Sequence, residues 1–292
     1  MNPTSILFTT ERRLRAPWRL LLFLVVLVAS LYVAVSIEAI IDGAAAGLGY
    51  EPLVSEWAVP VGILLATWVM LKWVDGLSWD FVGLDRNAAR PALLARGTIL
   101  GLLPIAVPSL FLIVIDQLRA VPSAPGSWWS AAAISLANLF PAALGEELLL
   151  RGYIFAVLCQ AVGARWTLIS TSIVFGLLHV WNPGSDAQSI VIVMMAGFFL
   201  GSIFLATASM YAVTMAHFIW NWFMAAWLHA PVSGLAVSTP DYRVVDNGPD
   251  WLTGGGWGPE GGLAAALGMF AVLIYLHARQ LKPAGAIEWQ KR

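Results

Sequence analysis

The sequence predicts an all-α fold, a polytopic membrane bundle of about eight transmembrane helices with both termini on the cytoplasmic side. Composition is the first observation behind this. The chain has 292 residues, 59% hydrophobic and 11% charged, with a mean hydropathy of +0.78, whereas a soluble domain is about half apolar and about a quarter charged. An ordinary soluble enzyme is excluded. The second observation is a series of apolar runs near the roughly 20 residues that span a bilayer at about 1.5 Å per residue. The third is the distribution of basic residues between loops. These runs cover nearly the whole chain and leave no polar stretch able to fold separately, so residues 1–292 read as one integral membrane domain.

In chain order the predicted spans are 20–41, 57–71, 97–115, 128–162, 166–181, 189–207, 210–228 and 263–276. The first reads as a retained helix, because its apolar run exceeds the roughly 7 to 15 residues of a signal peptide and lacks a small-residue cleavage site. The second and eighth are short and extend into their flanks. The fourth is too long for one straight span and contains Pro141, predicted to end one helical piece and open the next. Residues 77–96 mix Trp79, Phe81, Val82 and Leu84 with Asp80, Asp85, Arg86 and Arg90, which suits a segment lying on the cytoplasmic surface. The glycine-rich, acidic stretch 230–262 reads as an irregular outer loop. Its Gly-Gly-Gly-Trp-Gly run has no following Lys-Ser or Lys-Thr, so it is not a phosphate loop. Gly97 with Gly101, and Gly197 with Gly201, have the small-residue spacing that lets helices approach closely inside one bundle.

Cytoplasmic loops carry the Lys/Arg excess. With the N-terminus inside, Arg12, Arg13, Arg15, Arg19, Lys72, Arg86, Arg90, Arg96, Arg165, Arg279, Lys282, Lys291 and Arg292 all fall inside, and only Arg119 and Arg243 outside. Trp18, Trp57, Trp73, Trp128, Trp129, Trp166, Trp181 and Trp227 stand where an interfacial aromatic belt belongs. The 16 Lys+Arg against 17 Asp+Glu form no basic footprint for nucleic acid. The partners implied are the lipid bilayer and a membrane-associated substrate.

An ionised group at the bilayer centre costs about 2.5–3.5 kcal/mol, so each needs a reason. Glu146, Glu147, Arg151, His179 and His217 lie inside the predicted spans. Glu147 and Arg151 are four apart with the acid on the N-terminal side, the favourable order for an intrahelical ion pair. Glu146 lies about 100° further round the helix and meets Leu150 at its own four-residue position, so it has no local partner. Phe175 shares a helix face with His179, and His217 with Asn221. Counted along the helices, Glu146 lies about 25 Å deep, His179 about 20 Å and His217 about 10 to 18 Å. A shared layer is permitted. His229 and His277, near span ends, read as interfacial, and the single Cys159 as a small buried hydrophobe.

A carboxylate, two imidazoles and a carboxamide in one cavity meet the needs of peptide hydrolysis. A base, Glu146 or His179, deprotonates water, and His217 with the Asn221 amide supplies oxyanion donors. The same Glu146, His179 and His217 could instead hold a divalent metal such as zinc, with bound water as nucleophile. Sequence leaves both schemes open, and we favour the Glu/His-activated water.

These motifs resemble those of the CPBP (CAAX protease and bacteriocin-processing, or Abi) family of intramembrane proteases. The family pattern is Glu-Glu-x-x-x-Arg, Phe-x-x-x-His and His-x-x-x-Asn/Asp on successive helices. Here it is met in order by Glu146, Glu147 and Arg151, by Phe175 and His179, and by His217 and Asn221. The motif-bearing core spans residues 131–228. The resemblance implies that Glu146 with His179 activates water, that His217 and Asn221 stabilise the oxyanion, and that Glu147, Arg151 and Phe175 support the site. It further implies a membrane-associated substrate, prenylated CAAX-type or bacteriocin-like, and a bacterial inner membrane. His-Glu-x-x-His, Gly-x-Ser-Gly and Gly-x-Gly-Asp are absent, which sets the chain apart from zinc site-2, rhomboid and presenilin types. The rivals are a proton- or ion-coupled transporter, against which the missing internal repeat argues, and a non-proteolytic immunity or scaffold protein of the same fold.

Overall fold

The computed structural model describes residues 7–8, 14–49 and 56–278; Arg12, Arg13, Arg279, Lys282, Lys291 and Arg292 of the charge argument lie outside them. The protein is mostly helical, 74%. Its principal helices are α1 Ala16–Gly47, α2 Ala58–Val69, α3 Pro91–Val114, α4 Trp128–Arg151, α5 Tyr153–Val162, α6 Ala164–Leu178, α7 Ala187–Thr207, α8 Met210–Trp222 and α9 Leu263–Ala278. Wider π turns, Met70–Asp75 and Phe223–Leu228, prolong α2 and α8. Among the described residues, four helical stretches are long and apolar enough to cross a membrane: Ala16–Gly47, Ala58–Asp75, Pro91–Val114 and Ala187–Thr207. The apolar α6 and α9 are shorter. Apolar side chains face outward as lipid-like surface, with Val28 and Tyr32 of α1, Val114 of α3 and Trp181 beyond α6 exposed.

The structure departs from the sequence-based expectations in four places. Pro141 does not divide the fourth span; it sits inside α4, and the break comes at Gly152. An L-side chain at Gly152 would place its Cβ 2.2 Å from the Leu148 carbonyl oxygen, so the close approach there requires glycine. Glu146 is therefore five residues, about 8 Å, from the end of α4. Residues 77–96 do not simply lie on a surface. Phe81 and Val82, in the 3₁₀ turn Trp79–Val82, are in the core, and the Gly83 carbonyl accepts the Met210 N–H at 2.9 Å. The expected irregular loop contains a strand, β2 Tyr242–Asp246, antiparallel to β1 Leu118–Pro122 with Leu118 opposite Asp246, a small ribbon added to a mostly helical fold. His229 is buried, not interfacial: its ring stacks on Tyr242 at 4.3 Å between centroids. Cys159 is buried.

Helix α8 is the central element. Its N-terminus is capped by Ser209, whose hydroxyl accepts the Ala212 N–H at 3.0 Å and donates to the Ala88 carbonyl at 2.6 Å. Along one side, Gly97 and Gly101 of α3 press on it so closely that a Cβ would stand 2.0 Å from Ala212 O and 2.1 Å from Ala216 O. On another side α4 is tied to it by indole hydrogen bonds, Trp128 Nε1 to Ala226 O at 2.7 Å and Trp222 Nε1 to Ala132 O at 3.0 Å. Gly197 of α7 packs in the same manner on Ser172 of α6, and Gly201 on Leu168. The small-residue spacing is thus used for packing inside the bundle.

Near the start of α1 a polar knot joins three elements. Arg19 pairs with Asp75 at 2.8 Å, reaches the Gln160 side chain at 2.8 Å and the Tyr153 hydroxyl at 3.2 Å. Tyr153 in turn donates to Asp75 at 2.7 Å. The break at Gly152 frees Tyr153 to enter this knot.

Candidate active site

Glu147 and Arg151 are both fully buried and form the expected intrahelical pair, Nη1 to Oε1 at 3.0 Å. The guanidinium also donates from Nη2 to the Gly197 carbonyl at 2.8 Å, which ties α4 to α7, and stands 4.8 Å above the Phe175 ring. Glu147 has a second partner that sequence spacing does not show. Its Oε1 accepts a hydrogen bond from His217 Nδ1 at 2.8 Å. The acid thus joins helices α4 and α8, fixes the ring orientation of His217 and keeps a proton on its Nδ1.

With Nδ1 held in this way, the opposite nitrogen of His217 faces Glu146: Nε2 is 3.9 Å from Glu146 Oε2. Glu146 is the accessible acid of the pair, its side chain 41% exposed against 0% for Glu147. Yet its Oε2 is buried and has no hydrogen-bond partner among the described residues. An unsatisfied carboxylate oxygen is costly unless something else approaches it.

His179 caps the C-terminal end of α6. Its Nδ1 lies 2.8 Å from the Phe175 carbonyl oxygen, an acceptor only, so the proton is on Nδ1 and the Nε2 lone pair of the neutral ring is available. Phe175 spaces the two imidazoles, its ring centroid 4.9 Å from His179 and 5.9 Å from His217.

Phe175, His179, His217 and Asn221 line one cavity of about 30 Å³, room for one or two waters. Glu146 is not in its wall and reaches the group through His217; it forms no ion pair with His179 among the described residues. Two further polar residues line the cavity that sequence reasoning missed, Ser233 and Glu260. Both belong to the segment between α8 and α9, where neither spacing nor hydropathy marks them.

Among the described residues no three His, Cys, Asp or Glu side chains are grouped to hold a metal ion. Glu147 engages His217 Nδ1 and the Phe175 carbonyl engages His179 Nδ1.

No curated protein matches the chain. A family model described as type II CAAX prenyl endopeptidase Rce1-like matches residues 127–223, a third of the chain that includes α4 to α8 and all seven motif residues. Over this segment the chain is similar to the CPBP/CAAX protease family, a family of membrane proteases.

Proposed function

We propose that the protein is an intramembrane endopeptidase that hydrolyses a peptide bond of a membrane-associated, prenylated CAAX-type substrate. The observation that carries this reading is the line Arg151, Glu147, His217, in which each side chain holds the next, with Glu146 3.9 Å beyond His217, beside a cavity lined by His217, His179 and Asn221. A transporter needs charges staged along a path. Here they converge.

In the reaction we infer, Glu146 Oε2 removes a proton from water, assisted by the Nε2 lone pair of His179. The hydroxide attacks the scissile carbonyl carbon, and the π electrons move to its oxygen. His217 Nε2–H and the Asn221 amide donate to that oxyanion. Because Nδ1 already donates to Glu147, an Nε2–H requires the doubly protonated ring. Charge counting favours that form. Glu146, Glu147 and Arg151 alone leave one net negative charge, and the imidazolium brings the cluster to zero, which matters in a membrane interior. Collapse of the tetrahedral species breaks the C–N bond, and Glu146 returns its proton to the departing amine.

Around this site the reading is of a single integral membrane domain, residues 1–292, with about eight spans, both termini cytoplasmic, in a bacterial inner membrane. The test is cleavage of a prenylated peptide by detergent-purified protein. Glu146→Gln should lower kcat by about 10²- to 10⁴-fold, the usual share of a general base, with an unchanged thermal unfolding profile. Undiminished cleavage by Glu146→Gln would overturn the assignment.

A further inference from the structure

The segment between α8 and α9 puts a carboxylate into the cavity. Glu260 stands in the short turn Pro259–Gly261, and three donors converge on it. Trp220 Nε1–H donates to Oε2 at 2.7 Å, and Oε1 accepts both the Ser233 backbone N–H at 2.5 Å and the Ser233 hydroxyl at 2.8 Å. The donors are themselves braced. Trp220 is on α8, one residue before Asn221, and Asn182 Nδ2 holds the Ser233 carbonyl at 3.0 Å. Glu260, by contrast, is on a turn bounded by Gly258, at φ 105°, and Gly262.

A cavity of about 30 Å³ holds a water or two, and its Trp220 and Ser233 donors are already engaged by Glu260, so a substrate carboxylate that reaches them must displace it. Of the polar groups lining it, Glu260 is the one on a glycine-bounded turn. What it leaves behind is a seat of three hydrogen-bond donors shaped around a carboxylate, in the same cavity as His179, His217 and Asn221. A peptide's free C-terminal carboxylate is the same chemical group.

We propose that Trp220 and Ser233 form the subsite for the substrate's C-terminal carboxylate, and that the Glu260 side chain fills it as a tethered mimic until substrate displaces it. The proposal rests on the peptidase reading for its choice of substrate. A tethered group competes at an effective concentration on the order of mM, so Glu260 raises the apparent KM without taking part in the chemistry. The subsite also selects. An amidated C-terminus lacks the charge that strengthens such hydrogen bonds.

The experiment measures binding separately from cleavage. Full-length Glu146→Gln protein in detergent is titrated with a fluorescent farnesylated tetrapeptide ending in a free carboxylate, and with the same peptide ending in a primary amide. The acid should bind about 10-fold more tightly than the amide. Glu260→Ala, added to this background, should tighten the acid by about 10-fold or more and change the amide less than about 2-fold, with Glu260→Gln intermediate. Trp220→Phe and Ser233→Ala should weaken the acid alone. Gly256→Ala, in the same segment but with open space at its Cβ, controls for disturbance of the loop and should change neither. Equal binding of acid and amide in Glu260→Ala, or an equal effect of Glu260→Ala on both, overturns the proposal. The cleavage assay with Glu146 restored separates the two readings. Discrimination in binding without cleavage sinks the peptidase reading and leaves the subsite; cleavage without discrimination does the reverse.

Discussion

Gly101→Ala tests how far the site depends on helix packing. In α3 the added Cβ would stand 2.1 Å from the Ala216 carbonyl oxygen, whereas carbon and carbonyl oxygen rarely approach closer than about 3.3 Å. The obstacle is helix backbone, which no rotamer change can move, so α3 and α8 must separate locally by roughly 1 Å. Overpacking of this kind costs about 1–3 kcal/mol. The larger consequence is catalytic. Ala216 immediately precedes His217, whose Nδ1 is anchored 2.8 Å from Glu147 on α4. Moving α8 by that amount stretches this bond or displaces the ring, and a misplacement of about 1 Å can cost about 10²-fold in rate. The assay is kcat/KM for a prenylated peptide, measured beside thermal unfolding in the same detergent. Gly43→Ala, on α1 with nothing within 4 Å of the new Cβ, is the control and should leave activity unchanged. If Gly101→Ala keeps wild-type stability and kcat/KM, the claim that α3 sets the position of His217 is wrong.

Two stability predictions accompany this one. Glu147→Ala leaves the fully buried Arg151 without a carboxylate, held by the Gly197 carbonyl and the Phe175 ring, and should cost about 3–5 kcal/mol, the usual penalty for breaking a buried pair. Combining it with Arg151→Met should recover much of the loss in thermal unfolding; no recovery would mean the charge was not the cause. Asp186→Ala removes the cap of α7, in which Asp186 accepts the Ser189 N–H at 2.7 Å and the Ser189 hydroxyl accepts the Asp186 N–H at 2.8 Å, and should cost about 1 kcal/mol. The hydrogen bond from the Ser189 N–H, first among its causes, holds the Asp186 carboxyl below its ordinary value. The cap's charge-dependent stabilisation is therefore complete above the unfolded-state value near about 3.9 and fades as pH falls through the folded-state value. The difference between wild type and Asp186→Asn should shrink over that acid range and be flat above about pH 5.

Sequence disclosed the helices and the motif residues because both are local. Hydropathy marks a helix from its own residues, and a four-residue spacing places Glu147 beside Arg151 in any α-helix. What connects helices was not legible. That Glu147 also holds His217 depends on the relative rotation of α4 and α8, which the glycines and indoles between them determine. The break at Gly152 was missed because Pro141 carries the stronger local signal, yet a proline is tolerated inside a membrane helix where neighbours satisfy the freed carbonyl. The pairing of β1 with β2 joins residues more than a hundred positions apart, beyond any periodic pattern. Glu260 and Ser233 sit in a stretch whose glycine content reads as plain loop, and only the fold brings them to the cavity.

The knot around Arg19 bears on how the chain is made. Its guanidinium lies in the first helix, but Asp75 comes 56 residues later and the Tyr153 hydroxyl 134 residues later. At roughly 5–20 residues per second of synthesis, Asp75 follows Arg19 by several seconds and Tyr153 by roughly 7 to 27 s. During that interval α1 has a buried-to-be cation without its full set of partners, so its final seating waits for the helix that follows the Glu-Glu-Leu-Leu-Leu-Arg motif. Assembly of the bundle is thereby coupled to the emergence of the site itself. A nascent chain stalled before residue 153 should leave α1 open to crosslinking by neighbouring membrane proteins, and one stalled beyond residue 160 should not.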